Sequence, residues 1–272
     1  MDTLILGASG FVGGALLQEM ADAGEPVRAA SRRPVHRAPR RDVEWVTCDL
    51  ERPETLAPAL EGIDCAYYLV HSMGKRGADF REAEKRCAEN MIAAAAEAGI
   101  RRIVYLGGVA PSGPVSEHLA SRLQVGEILR SGAVPALELR ASMIVGNGSA
   151  SWQIIRDLAA RLPFMLLPRW LESLSCPIAL PDVVLALRDA ETVPLEASTW
   201  FDIPGPDTLS VREMLAIVGE LQQRRIPSVR VPVLTPKLSA MWLKLVTRAN
   251  YRLAREYGFT DVDGSLSPSL RR

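Results

Sequence analysis

Three histidines, four cysteines and no excess of either charge leave this 272-residue chain poorly equipped for several kinds of chemistry. Its 32 Lys and Arg residues balance 32 Asp and Glu, so the formal net charge at pH 7 is zero. That removes the electrostatic case for nucleic-acid binding, leaving only local basic spots at Arg32-Arg33 and between Arg37 and Arg41. Cys48, Cys65, Cys87 and Cys176 stand far apart, with no CxxC and no histidine at a metal-ligand spacing. No metal site and no disulfide frame are therefore expected, and scattered thiols without a secretion signal suit a reducing cytoplasm. The N-terminus MDTLILGASG has no basic n-region, and its apolar run is broken at once by glycine. No stretch approaches the ~18 apolar residues of a membrane span. Internal repeats and low-complexity blocks are lacking too. A soluble, cytoplasmic protein is expected.

What is present is ordinary globular material: 48% hydrophobic and 24% charged residues. Short β-branched or apolar runs predict strands at Thr3 to Leu6, Val27 to Ala30, Glu44 to Thr47, Cys65 to Val70, Arg102 to Leu106 and Ala136 to Leu139. Helical patterns separate them at about 11–23, 54–60, 79–98 and 117–130. Gly24, Gly99 and Gly132 follow three of these, where a left-handed C-terminal glycine is expected. Alternating strands and helices predict an α/β fold with a doubly wound parallel sheet. Beyond it, helices are expected at 152–161, 181–190 and 210–223, a strand in TWFDIPG (199–205), then VRVPVLTP (229–236) and a helix to about Thr247. The proline density of this half suggests a smaller, partly irregular lobe.

GASGFVGG (7–14) lies where the first strand ends and the first helix begins. Gly7, Gly10 and Gly13 allow a tight turn, close approach of backbone to a pyrophosphate and close packing of helix on strand, while the helix N-terminus offers unpaired N–H groups. Ser9, Phe11 and Val12 complete the loop. In this context the glycine string predicts dinucleotide binding; a tight turn that binds nothing is the alternative. A site preferring NAD would place an acid about twenty residues further on, at the ribose 2′-OH. Here that place reads Ala30-Ser31-Arg32-Arg33-Pro34. A hydroxyl and two guanidinium groups suit a 2′-phosphate, so NADP(H) is expected in preference to NAD(H). The alternative is a pair of solvated loop arginines. Residues 1–146 then form a Rossmann-type core, completed by a strand near 199–204. The smaller substrate-side lobe is 147–262, and 263–272 is a polar tail.

GASGFVG, Cys48-Asp49-Leu50, YYLVHSMG (67–74), YLGG (105–108) and PIALPDVV (177–184) together resemble the atypical, extended short-chain dehydrogenase/reductases. Within them the chain is most similar to the NmrA-like NAD(P)H-binding proteins and related bacterial reductases, over roughly residues 2–250. FDIPGPDTLSVREML (201–215) extends the likeness into the C-terminal lobe. The resemblance implies that Asp49 and Leu50 border the adenine. It places Leu69 to Ser72, including Val70 and His71, at the nicotinamide-side ribose, with Gly107 at the end of the fifth strand. A reductase of this kind carries a Ser or Thr after the fifth strand and then a YxxxK helix. In this chain the serine position reads Gly108, the tyrosine position His118 and the lysine position Arg122. Ser112 is a candidate replacement hydroxyl.

On a helical wheel His118, Arg122, Val125 and Leu129 form one stripe flanked by Leu119, Leu123 and Ile128, with Ala120, Gln124 and Glu127 opposite. His118 and Arg122 are thus expected on the apolar arc, where charged groups need partners. Arg122 suits the ribose hydroxyls and negative charge developing on a substrate oxygen, and His118 suits proton donation. Structural anchoring is the alternative for Arg122, and a satisfied histidine for His118. His71 ends the fourth strand, where ligands gather, although a hydrogen bond orienting the next loop is the reading favoured over chemistry. His36 is expected exposed, and Tyr67 and Tyr68 in the core. Met143, Trp152, Phe164, Met165, Trp170 and Trp200 are candidates for an apolar substrate cleft, with core packing the alternative for each.

These features favour an NADPH-dependent oxidoreductase passing hydride to a small or medium apolar acceptor, whether quinone, enone or carbonyl. The altered catalytic set equally admits a non-catalytic NADP(H) sensor of NmrA type acting through a protein partner. A scaffold with a structural cofactor is a third reading.

Overall fold

All four side chains of the first strand, β1 (Thr3–Leu6), are buried, as a central strand covered on both faces requires. The computed structural model describes residues 2–34, 40–71, 78–111, 115–161, 165–167, 173–224 and 228–230, with backbone alone at 78–79, 165–167 and 228–230. In chain order β1 is followed by α1 (Phe11–Asp22), β2 (Val27–Ser31), β3 (Val43–Thr47), a 3-10 turn (Pro53–Thr55) and α2 (Leu56–Leu60). Next come β4 (Cys65–Tyr68), α3 (Ala78–Ala98), β5 (Arg102–Gly108), α4 (Glu117–Ser131), β6 (Ala136–Ala141) and β7 (Ile144–Val145). The remainder is α5 (Ala150–Arg161), β8 (Met165–Leu167), β9 (Leu174–Ser175), β10 (Ile178–Ala179), α6 (Leu180–Thr192), β11 (Thr199–Asp202), β12 (Leu209–Ser210), α7 (Val211–Leu221) and β13 (Ser228–Arg230).

Seven strands form a parallel sheet in the order β11-β6-β5-β4-β1-β2-β3, the Rossmann-type α/β arrangement expected from the sequence. The direction of winding reverses between β1 and β4, so a crevice opens beyond the carboxyl ends of these two strands. β4 ends two residues before the expected Val70. The Leu69 N–H still donates to the Leu6 carbonyl at 3.0 Å, after which β1 has given way to the glycine turn and offers no further ladder. Gly24 and Gly99 adopt the expected positive φ, at 74° and 67°. Gly132 does not. A side chain there would meet Ile92 at 3.0 Å, so close packing, not handedness, calls for that glycine.

Tyr67 and Tyr68 are both core residues, on opposite faces of β4. The Tyr67 hydroxyl donates to the Leu187 carbonyl of α6 at 3.0 Å, and burial raises the phenol well above its ordinary range. Tyr68 meets Tyr105 edge-on at 5.7 Å between ring centroids.

The chain divides into two compact units. One comprises residues 1–108, 120–140 and 180–203 and holds the large sheet; the other comprises 109–119, 141–179 and 204–272. In the second unit α5 packs on α7, and β7 with β10, β9 with β12 and β8 with β13 form three two-stranded pairs. α7 begins with a capping box: the Ser210 side chain accepts from the Glu213 N–H at 3.2 Å, and the Glu213 carboxylate accepts from the Ser210 N–H at 2.7 Å. Hydrogen bonds donated by the Ser210 N–H and hydroxyl hold the Glu213 carboxyl below its usual range. Residues 231–272, with the helix expected to Thr247 and the tail, lie outside the described residues, as do His36, Ser112, Phe164 and Trp170 and the side chain of Met165. Among the described residues no helix is long and apolar enough to cross a membrane, and no cluster of three potential ligands suits a metal.

Candidate functional site

The glycine loop is shaped by backbone contact. Gly7 has φ 89°, and a Cβ there would lie 2.6 Å from the Leu69 carbonyl oxygen across the β1–β4 crevice. A Cβ on Gly13 would fall well inside 3.0 Å of the Gly7 carbonyl oxygen, so α1 rests directly on the turn. Gly10 is the N-cap of α1 and its N–H donates to Gly7 O at 2.9 Å. No side chain caps this helix, and its first turn carries no acid. With an N-cap glycine that has no side chain to cap them, the N–H groups of the first turn suit an anion such as a pyrophosphate.

A cleft of about 440 Å³ opens above this loop. Gly7, Ser9 and Gly10 form its floor, Ser31, Arg32 and Arg33 one wall after β2, and Asp49 and Leu50 another after β3. Leu69, Val70 and His71 close it at the end of β4. Ten of the residues expected at the cofactor thus meet in one cavity: Gly7, Ser9, Gly10, Ser31, Arg32, Arg33, Asp49, Leu50, Val70 and His71. Phe11, Val12 and Gly13 stand behind the loop in the first turn of α1. Gly107 faces away from the cleft, toward Glu138. Arg32 and Arg33 are exposed, with no acid at the end of β2. The Asp49 carboxylate accepts from the Glu51 N–H at 3.1 Å and so shapes the turn after β3.

Sequence reasoning passed over four contributors. Asn90 on α3 donates to the Leu50 carbonyl at 2.7 Å, tying the expected adenine-side loop to the helix. Cys48 and Cys87 also line the cleft, and burial pushes the Cys48 thiol up to about 11. The fourth is Glu84. Its carboxylate lies 3.7 Å from His71 Nδ1, while Nε2 of the same ring is 2.6 Å from Arg122 Nη2. Glu84 interrupts the apolar stripe of α3 and the half-buried Asn90 borders it, which was the available signal.

α4 is rotated relative to the expected stripe. Its buried residues are Ser121, Val125, Gly126 and Leu129, and His118 and Arg122 are half-buried beside them. Small residues turn toward the sheet here, because bulk is excluded by a carboxylate: a Cβ on Gly126 would lie 2.6 Å from Glu138 Oε1. Hydropathy alone misses such a face. Arg122 is thus partnered by His71, and the Tyr105 hydroxyl donates to its carbonyl at 3.0 Å. Burial pushes the Tyr105 phenol up to about 12, so it serves as a donor. His118 lies one helical turn before Arg122.

Beneath α4, Glu138 on β6 is 1% exposed and pairs with Arg130 and with Arg140 Nε at 3.0 Å. Arg140 also stacks over Trp200, 4.0 Å from the ring centroid, which gives that tryptophan a partner at the sheet edge.

A glycine-floored cleft at the switch point of a parallel sheet defines a dinucleotide-binding protein of Rossmann type. The NAD(P)H-binding family matches residues 7–157, more than half of the chain, and the chain belongs to that family. Ceramide reductase of Caulobacter vibrioides is 33% identical over 167 residues, covering 59% of this chain and 52% of that protein. The match thus spans about half the length of that relative. The (4-alkanoyl-5-oxo-2,5-dihydrofuran-3-yl)methyl phosphate reductase of Streptomyces griseus is 29% identical over 237 residues, 81% of this chain and 74% of that one. MoeE5, solved in complex with UDP-glucose and NAD, shares the fold with a TM-score of 0.71 at 21% identity, covering 95% of this chain and 98% of that one.

Proposed function

We propose that this chain is an NADPH-dependent reductase that delivers hydride to a small or medium apolar acceptor, a carbonyl, quinone or activated alkene. The observation that carries the cofactor preference is the cleft wall of Ser31, Arg32 and Arg33, with no acid at the end of β2. Two exposed guanidinium groups there attract a 2′-phosphate, whereas a free 2′-OH would want a carboxylate. Support for the reaction comes from the relatives, which are named as reductases of ceramide and of an alkanoyl compound.

Bound NADPH supplies the hydride. The chain's own residues bind and orient. The glycine loop and the first turn of α1, Phe11, Val12 and Gly13 included, hold the pyrophosphate; Asp49 and Leu50 border the adenine; Val70 and His71 flank the nicotinamide side. Arg122 engages ribose hydroxyls and stabilises negative charge developing on the acceptor, and His118 supplies the proton. A quinone or polarised alkene suits this set, because delocalised product charge needs less help from a positioned acid. A second reading, a non-catalytic NADP(H) sensor with a protein partner, is favoured by one feature: His118 and Arg122 stand where a reductase keeps Tyr and Lys.

NADPH is expected to bind at least about tenfold more tightly than NADH, the effect of a pair of charge-assisted hydrogen bonds, and Arg32→Ala to erase most of that preference. Fluorescence titration measures both affinities, and equal values in the unsubstituted chain contradict the 2′-phosphate reading. A quinone and enone panel followed at the NADPH absorbance separates the two functions: turnover lost in His118→Ala or Arg122→Ala supports the reductase, and intact binding without turnover supports the sensor.

A further inference from the structure

Glu84 is on the wrong face of its helix. The buried stripe of α3 contains Phe80, Ala83, Cys87, Ala88 and Met91, and Glu84 lies within it at 2% exposure. A carboxylate in such surroundings is retained only where a donor or a cation answers it. One group that faces it is an imidazole. His71 presents Nδ1 to Glu84 at 3.7 Å and Nε2 to the Arg122 guanidinium at 2.6 Å.

The chemistry of these three groups fixes where the proton sits. A guanidinium only donates, so His71 Nε2 accepts, and the imidazole proton must be on Nδ1, the side of Glu84. Arg122 makes Nε2 the acceptor, and the Nδ1–H that remains faces the Glu84 carboxylate across 3.7 Å, an electrostatic contact longer than a hydrogen bond that favours the same tautomer. With the proton on Nε2 instead, two donors would face each other and Arg122 would be driven off. A carboxylate that favours this tautomer favours the arginine contact as well.

We propose that Glu84 is a positioning residue of the cofactor site: through the His71 imidazole it holds the Arg122 guanidinium at the nicotinamide side of the cleft. The proposal rests on the reading of that cleft as the NADP(H) site. His71 lines the cleft, and Arg122 reaches the cleft's edge through its 2.6 Å contact with His71 Nε2. The turn of α4 that bears Arg122 is itself pinned by the Tyr105 hydroxyl, so only the side chain is left to be directed.

The test is ¹⁵N-histidine NMR on the full chain, whose three histidines give three spin systems, assigned with His36→Gln and His118→Gln. In the cofactor-free, unsubstituted chain His71 is expected as the Nδ1–H tautomer. Glu84→Leu, which keeps the volume and removes the acceptor, is expected to shift His71 toward Nε2–H and to weaken NADPH binding about tenfold. Glu84→Gln, which keeps an acceptor oxygen, is expected to restore much of both; a purely packing role would not discriminate Leu from Gln in this way. A proton on Nε2 in the unsubstituted chain overturns the proposal, as does an unchanged tautomer and affinity in folded Glu84→Leu. If that variant does not fold, Arg122→Ala must move the His71 Nε2 resonance, and an unmoved resonance overturns the proposal equally. A chain that shows the expected tautomer yet binds neither NADPH nor NADH overturns the cofactor reading instead, since the tautomer is read without cofactor.

Discussion

Gly13→Val is expected to abolish measurable NADPH binding and to lower stability by several kcal/mol, while the neighbouring Gly14→Ala leaves both nearly unchanged. At position 13 any Cβ falls inside 3.0 Å of the Gly7 carbonyl, and both partners are backbone, so neither can rotate away. α1 would have to lift from β1. Overpacking of this kind costs about 1–3 kcal/mol even where side chains can adjust, and here the displaced part is the anion-binding helix terminus itself. At Gly14 the nearest atom to an added Cβ is the Ala8 carbonyl oxygen at 3.5 Å, an ordinary contact. Alanine there gains helix propensity, up to about 1 kcal/mol. Thermal melting and NADPH fluorescence titration of the two variants check the contrast. Equal behaviour would mean that close approach of helix to turn is not what the glycines serve.

Glu138→Ala is expected to destabilise the chain by about 3–5 kcal/mol and to lower Tm by about 10 °C, measured by calorimetry. The carboxylate is enclosed between Arg130 and Arg140, and burial already pushes both guanidinium groups below their usual range. Removing it leaves two cations facing each other beneath α4. The same substitution should rescue Gly126→Ala. That change is damaging while Glu138 Oε1 and Oε2 lie 2.6 Å from the new Cβ, and benign once they are gone. A double-mutant cycle should therefore show strong non-additivity. Additive effects would mean that the carboxylate and the glycine are not coupled.

Much of the large sheet was legible because its strands are buried on both faces. Runs such as Thr3–Leu6 and Cys65–Tyr68 announce themselves by continuous apolar or β-branched character, and the intervening helices by their period. The glycine turn was legible because its chemistry is local: seven residues carry a tight turn, a helix terminus and a packing contact. The switch from an expected acid to Ser31-Arg32-Arg33 was legible for the same reason.

What was not legible is long-range and polar. His71 and Arg122 are 51 residues apart, and nothing local says that they meet. Glu84 and Glu138 interrupt otherwise buried segments, and an apolar count treats them as noise when each is the centre of a charged cluster. In Glu138 and Arg140 the signal was present, since residues two apart in a strand share a face and these two carry opposite charge. The buried face of α4 was misplaced because Ser121 and Gly126 turn to the sheet for their small size. Hydropathy measures aversion to water, not the room left for a carboxylate.

The most direct measurement is a crystal structure of the full chain with NADP⁺. The account predicts the pyrophosphate against Gly10 and the first turn of α1, and the 2′-phosphate within hydrogen-bond distance of Arg32 or Arg33. A dinucleotide bound elsewhere, or a 2′-phosphate turned away from both arginines, would contradict it.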